Sequence, residues 1–392
     1  MPDPLAEVPQ APSPEPAPTV AGNPYLRALV VVGLLYLFLV GVNGLGAGFR
    51  ALGEDALDAF FAATENPFIG LMVGILATTL VQSSSVTTSM IVGLVAAPLN
   101  PIPVANAVPM IMGANIGTTV TNTLASMAHI GRKEEFRRAF SVATVHDFFN
   151  YMAVLILLPL EIFTGYLQKS ATALSDVLSG FGGAEYESPI KVAIKAGGVP
   201  IEVALEALLP SERAVAVGLI IVSAAMIFVT LVSIVRVMRA SMQKRMEVLV
   251  SRALARNAWI AIAVGIIATV MVQSSSITTS LMVPLAGAGV LTLSQAFPVT
   301  LGANLGTTVT ALLAALAATD QNAQAGLTIA LVHLLFNLSG TVLIYPFEPI
   351  RRIPMFLART LADVAVRSKV LAIAYVMGLF YAVPIVFAML TQ

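Results

Sequence analysis

Residues Asn66 to Ser89 and Asn257 to Ser280 align without a gap, and 15 of the 24 positions are identical. Each copy contains the same hydroxyl cluster, VQSSSVTTS at 81–89 and VQSSSITTS at 272–280. Further along, GANIGTTVT (113–121) recurs as GANLGTTVT (302–310), and VHDFFN (145–150) as VHLLFN (332–337). Three motifs thus repeat in one order, at offsets of 191, 189 and 187 residues. Two halves built to one plan constrain the fold more than any single segment does.

Composition gives the solvent. Of 392 residues 57% are hydrophobic and 11% are charged, whereas soluble domains are about a quarter charged. Several apolar runs reach the ~20 residues that a helix needs to cross a hydrocarbon core of about 30 Å. These runs do not alternate as barrel strands do, so the expected class is an all-α polytopic membrane protein. Net charge is zero and there is no cysteine. Bulk attraction to nucleic acid, disulfides, thiol catalysis and cysteine-ligated metals are thereby excluded. No HExxH or Walker A stretch occurs, so neither a zinc protease nor an ATP-driven pump is expected, and no enzyme activity.

The expected order is a Pro/Ala-rich disordered cytoplasmic tail (1–24), a first membrane helix (25–49), repeat 1 (66–160) and an external loop with some amphipathic helix (161–212). There follow a linking helix with a basic segment (213–256), repeat 2 (257–346), an amphipathic cytoplasmic segment (347–368) and a last membrane helix (369–392). Single spans are expected at 136–160, 213–237, 326–346 and 369–390. Basic residues crowd three connections: Arg132, Lys133, Arg137 and Arg138; Arg236, Arg239, Lys244, Arg245, Arg252 and Arg256; and Arg351, Arg352, Arg359, Arg367 and Lys369. Glu54, Asp55, Asp58, Glu65 and Asp320 mark other connections. The positive-inside rule places the basic segments in the cytoplasm. Residue 66 then lies outside and 257 inside, so the copies enter from opposite faces. That is an inverted-topology repeat, the pattern of secondary transporters.

Parity requires 66–130 to cross an odd number of times. The simplest solution makes 66–97 a re-entrant hairpin with QSSS near its tip and LNPIP (99–103) turning the chain back. The helix 103–128 then crosses and is expected to unwind at Gly113-Ala114-Asn115-Ile116-Gly117, with the same arrangement in the second copy. Cut helix ends expose N–H groups that favour anions and carbonyls that, with Ser, Thr and Asn oxygens, suit a hard cation. Neither motif carries Lys or Arg. An anion held there would use neutral donors, with a co-bound cation offsetting its charge. Asn115, Thr118 and Asn304 are cation candidates on this reading. His146 and His333, at matching positions, read as neutral rings bonded to a neighbouring helix, with a proton relay as the alternative. Asp147 breaks the symmetry, its counterpart being Leu334. A carboxylate within a membrane segment is costly and marks function. Asn150 and Asn337 read equally as interhelical ties or as cation ligands.

The paired VQSSS, the paired GANxGTT and the segments EFRRAFSVATVHDFFNYMAVLILLPLE (135–161) and ALVHLLFNLSGTVLIYPFEPIRRIP (330–354) resemble the type II sodium-dependent phosphate cotransporters, in a short bacterial form. The resemblance runs from about 66 to 368. It implies import of inorganic phosphate with co-transported Na+ and no cofactor. It places phosphate at Ser83, Ser84, Ser85, Ser274, Ser275 and Ser276. Gln82, Gln273, Thr307, Thr310, Asn150 and Asn337 would line phosphate and sodium sites, with Thr307 assigned to phosphate and Thr310 to sodium. It also implies an extra sodium at Asp147, and hence electrogenic transport. His129 and Arg132 depart from many animal members, which have Gln and Asp there. The connecting loop lacks the cysteines that animal members cross-link, and no PhoU-like domain follows.

The implied partners are phosphate, sodium and the lipid bilayer, with no nucleic acid. The sequence leaves the oligomeric state open, a homodimer being the candidate. Localisation follows as the plasma membrane, with the N-terminus cytoplasmic and the C-terminus outside. Symport of another oxyanion (arsenate or sulfate), a non-transporting phosphate sensor and a passive anion channel are the competing readings.

Overall fold

The computed structural model describes residues 24–52, 64–97, 101–180, 189–254, 257–316 and 322–390. The expected disordered tail up to residue 23, Glu54, Asp55, Asp58, the Leu99-Asn100 start of the turn, and Asp320 lie outside the described residues. So do the side chains of the basic run from Arg239 to Arg256. Among the described residues every regular element is a helix, and six helices are long and apolar enough to cross a membrane. The chain is an all-helical, polytopic membrane protein.

Helix α1 (Pro24–Leu52) packs along α9 (Glu212–Leu254). Between them in sequence come α2 (Pro67–Val81), α3 (Ser84–Val95), α4 (Val104–Gly117), α5 (Val120–Ser126), α6 (Lys133–Thr164), α7 (Tyr166–Gly180) and α8 (Pro189–Leu208). The second half continues with α10 (Ala258–Val272), α11 (Ser275–Ser280), α12 (Met282–Gly287), α13 (Leu293–Ala315), α14 (Ala323–Ile344) and α15 (Glu348–Arg367). The chain ends with α16 (Lys369–Met377), a π-turn at Gly378–Ala382 and α17 (Val383–Leu390).

Local sequence explains the boundaries. Arg132 is extended at the start of α6, and Glu134 and Glu135 occupy the first turn, where a helix favours negative charge. Gly165, at φ 65°, ends the helix in the left-handed conformation and donates its N–H to Glu161 O, as glycine does at helix C-termini. The Glu161 carboxylate then accepts from Leu167 N and Gln168 N, which caps the start of α7. The stretch 161–212 is more helical than the expected loop, because α7 buries Leu167, Ala171 and Ser175 at helical spacing along one stripe.

The two copies begin alike. Asn66 and Asn257 cap α2 and α10, accepting from Phe68 N at 2.9 Å and Trp259 N at 3.1 Å. Helix α2 packs on α4, and α10 packs on α13. They diverge after the hydroxyl cluster. The twelve-residue α3 is continuous, whereas its counterpart splits into α11 and α12 around Leu281. Pro284 stands in register with Gly93 and has no N–H for the turn before it.

One expectation is corrected. The chain does not unwind at Gly113-Ala114-Asn115-Ile116-Gly117, which is the regular last part of α4, nor at Gly302 to Gly306, which lies inside the unbroken α13. The first copy breaks inside GANIGTT but past its glycines, at Thr118-Thr119, where the backbone stays close to helical angles. The glycines serve contact instead. A Cβ on Gly113 would fall 2.0 Å from Leu71 O, and one on Gly302 would fall 2.0 Å from Ile262 O. Small residues that let membrane helices touch backbone to backbone explain the motif.

Candidate functional site

The breaks in both copies fall at QSSS. Gln82 (φ 58°) and Gln273 (φ 55°) are the non-glycine residues with positive φ among the described ones. That conformation is costly for a residue with a side chain, and each glutamine is tied to hold it. Gln82 Nε2 donates to Thr79 O and Gln273 Nε2 to Val270 O, at 2.5 and 2.7 Å. Thr121 and Thr310, in register, each donate a hydroxyl to the glutamine Oε1 at 3.0 Å. Ser83 and Ser274 follow in extended conformation, and their hydroxyl oxygens accept from Val86 N and Ile277 N at 3.4 Å. Ser84, Ser85 and Ser275 are buried, and Ser276 is partly buried.

The two breaks share a helix. Thr121 of α5 holds Gln82. Its neighbour Asn122 offers Oδ1 to the hydroxyls of Thr279 at 2.8 Å and Ser280 at 3.0 Å, in the second copy. Composition gave no reason to single out Thr121 or Asn122. The signal was positional, since Thr121 closes the GANIGTTVT motif and Asn122 follows it.

A second cluster joins the copies through matched residues. His146 Nε2 lies 2.6 Å from Asn304 Oδ1, and Asn304 Nδ2 donates to Asn150 Oδ1 at 2.9 Å. In register, His333 Nε2 lies 3.3 Å from Asn115 Oδ1, and Asn337 Nδ2 donates to the same oxygen at 3.0 Å. Each triad takes a histidine and an asparagine from one copy and the GAN asparagine from the other. Asn150 Nδ2 joins them by donating to Asn115 O at 2.7 Å. All six side chains are buried. The histidines thus bond across to a neighbouring helix through Nε2, while among the described residues both Nδ1 atoms lack a partner, as does Asn337 Oδ1.

Asp147 turns away from that cluster. It is fully buried, and its Oδ2 accepts from Tyr375 of α16 at 2.7 Å and from Thr123 at 3.4 Å. Its Oδ1 has no hydrogen-bond partner among the described residues. Neither Tyr375 nor Thr123 was legible as a site residue. Thr118 and Thr307, in register, each donate to a carbonyl one turn back in their own helix, Ala114 O at 2.9 Å and Ala303 O at 3.0 Å. Among the described residues no three His, Cys, Asp or Glu side chains gather. Around the breaks and the triads the buried polar groups are hydroxyls, amides and two imidazoles beside the Asp147 carboxylate.

A model of the Na+/Pi-cotransporter family matches residues 37–184 and 226–347. The chain belongs to that family. Against the orangutan (Pongo abelii) sodium-dependent phosphate transport protein 2B, this member is 31% identical over 446 residues, covering 92% of itself and 64% of the relative. The human 2B protein gives the same identity and coverage. Against the rat (Rattus norvegicus) sodium-dependent phosphate transport protein 2A it is 32% identical over 434 residues, covering 93% of itself and 67% of the relative. This family member therefore spans about two thirds of the length of the curated relatives it matches. No solved structure matches it.

Proposed function

We propose that the protein is a sodium-coupled symporter that imports inorganic phosphate across the plasma membrane, with its N-terminus in the cytoplasm and its C-terminus outside. Its relatives are named for sodium-dependent phosphate transport. The observation that carries the reading is that both QSSS breaks are tied to α5, Gln82 through Thr121 and the second copy through Asn122. Two clusters of neutral donors from duplicated halves are thereby held against one element.

In this reading α2–α3 and α10–α11 are re-entrant hairpins of an inverted repeat, and phosphate binds between their tips. Ser84 and Ser85 offer hydroxyls and the free first-turn amides of α3, where a helix carries about half a positive charge. Helix α11 has only six residues, so the hydroxyls of Ser275 and Ser276 carry more of the load there. Ser83 and Ser274 each use one lone pair to cap a helix and shape the tips, which leaves the O–H of each able to donate to phosphate. Gln82 and Gln273 use one N–H and the oxygen on the protein, which leaves one N–H each for a ligand. Thr307 already donates to its helix and offers lone pairs, which suits sodium better than the phosphate role the resemblance implied.

Sodium then offsets the anion's charge. Asp147 Oδ1 is the one buried carboxylate oxygen without a partner among the described residues, and an ion there makes transport electrogenic. One charge moved through 100 mV is worth about 2.3 kcal/mol, roughly a fifty-fold concentration ratio. Thr118, Thr310 and Asn337 present neutral oxygens for further sodium ions. Asn115, Asn150 and Asn304 hold the copies together and reach sodium only if the triads open during the transport cycle.

Uptake of radiolabelled phosphate into proteoliposomes, with sodium gradient and voltage imposed independently, tests the reading. Uphill accumulation driven by sodium and increased by inside-negative voltage is expected. Uptake indifferent to sodium overturns it. Competition by arsenate and sulfate separates phosphate from other oxyanions.

A further inference from the structure

Away from the QSSS centre, a cavity of about 260 Å³ opens where the two copies meet the amphipathic helix α15. At roughly 30 Å³ per water, it holds an oxyanion and part of its hydration shell. Arg137, Arg138, Ser141 and Val142 of α6 form one wall, and Gly289, Leu291, Thr292 and Leu293 at the start of α13 form another. Arg359 and Ala362 of α15 complete it. Three guanidiniums line the space and, among the described residues, no carboxylate does.

The arginines are differently committed. Arg138 Nε and Nη2 donate to Gly287 O at 3.1 and 2.7 Å, which fixes its plane at the end of α12 and leaves Nη1 uncommitted. Arg137 Nε is held by Asp363 at 2.6 Å, and its Nη1 lies 3.8 Å from the exposed Glu134. Arg359 has no carboxylate within ion-pair distance among the described residues, although it lies one turn from Asp363 on the same helix. The cavity also reaches the N-terminus of the 23-residue α13, where Thr292 and Gln295 form a capping box. Two carboxylates beside three arginines leave an excess of positive charge. The sequence reading places this end of the helices in the cytoplasm.

We propose that this cavity is a second phosphate-recognising site, independent of the QSSS centre. Planar guanidinium forks match phosphate oxygens in pairs, and a helix N-terminus adds donors of the same sign. Basic pockets between membrane helices on the cytoplasmic side take anionic lipid head groups. The same chemistry takes free inorganic phosphate on the side to which the transporter delivers it.

The test uses the full chain in neutral phosphatidylcholine nanodiscs in sodium-free choline buffer, which silences sodium-coupled binding at the centre. One arm measures binding of radiolabelled inorganic phosphate. The other measures retention of phosphatidylglycerol over phosphatidylcholine by native mass spectrometry. Arg359→Gln should weaken whichever ligand binds by about tenfold or more, the loss expected for one charge-assisted hydrogen bond. Arg359→Lys, which keeps the charge without the fork, should fall between. Arg352→Gln, on the same helix but outside the cavity, should leave binding unchanged. Binding in the first arm identifies free phosphate as the ligand, and in the second a lipid head group. Absence of both, or equal binding by Arg359→Gln and Arg352→Gln, overturns the site.

Discussion

The phenol of Tyr375 donates to Asp147 Oδ2 at 2.7 Å across 228 residues of sequence. The last membrane helix therefore grips the carboxylate that distinguishes the first VHDFFN motif from the second, the other difference being Phe148 in place of Leu335. If Asp147 takes a sodium ion through its free Oδ1, Tyr375 sets where that oxygen points. Tyr375→Phe removes the donor and keeps the ring. Since hydrogen bonds to charged groups are worth about 1.5–3 kcal/mol, apparent sodium affinity should fall by roughly tenfold or more. The measurement is the sodium dependence of phosphate-evoked current in proteoliposomes on a solid-supported membrane. An unchanged sodium curve would separate α16 from the ion site.

Asp147→Gly deletes the carboxylate and should abolish phosphate-evoked current while sparing part of the sodium-driven tracer uptake. Both quantities can be recorded on one preparation. Undiminished current per phosphate moved would remove Asp147 from the charge-carrying step.

Gly113→Ala and Gly302→Ala test the corrected role of the GANxG motif. Each new Cβ would meet a backbone carbonyl oxygen at 2.0 Å, which no side-chain rotation relieves. Overpacking of this kind costs about 1–3 kcal/mol or more. Both variants should melt well below the wild type in detergent, and to a similar extent, because the two contacts are equivalent. A wild-type melting temperature would show that α2 and α4 are not so closely joined.

The duplication and the membrane class were legible because they are local and counted in residues. A break near QSSS was legible too, because an odd number of crossings between 66 and 130 required the chain to turn back close to that cluster. GANxG misled because glycine marks both chain breaks and close helix contacts. Only Leu71 O and Ile262 O, some 40 residues earlier in each copy, decide between the two. The same limit applied to Asn150 and His146, whose chemistry was evident while their shared partner Asn304 lies in the other copy. Tyr375 stood outside the repeat altogether, so symmetry could not point to it.

The hydroxyls of Ser84 and Ser275 are equivalent donors in the proposed centre. Ser84→Ala or Ser275→Ala should each weaken apparent phosphate affinity by about 1–3 kcal/mol, by leaving an oxygen of a dehydrated anion unpaired. Phosphate dependence of initial uptake at saturating sodium reads this directly, and unchanged half-saturation in both variants would take these serines out of the site.

Asn122 offers the sharpest test of how the copies are joined. Its Oδ1 accepts from Thr279 at 2.8 Å and Ser280 at 3.0 Å, but the two hydroxyls do not depend on it equally. Thr279 also lies 2.8 Å from Ser275 O, one turn back in its own helix, whereas the Ser280 hydroxyl forms no second hydrogen bond among the described residues. The pseudo-symmetric position is Ala311, and Ser89, in register with Ser280, has a buried hydroxyl with no partner among the described residues. The first copy therefore carries the tie and the second lacks it. Asn122→Ala should destabilise the protein by about 1–3 kcal/mol, chiefly through the stranded Ser280 hydroxyl. A double-mutant cycle in thermal or denaturant unfolding should show that Ser280→Ala costs much less once Asn122 is gone, with a coupling of about 0.5–3 kcal/mol. The same cycle with Thr279→Val should give a smaller coupling, because Thr279 can turn to Ser275 O. Additive effects in the Ser280 cycle would mean that α5 does not hold the second break.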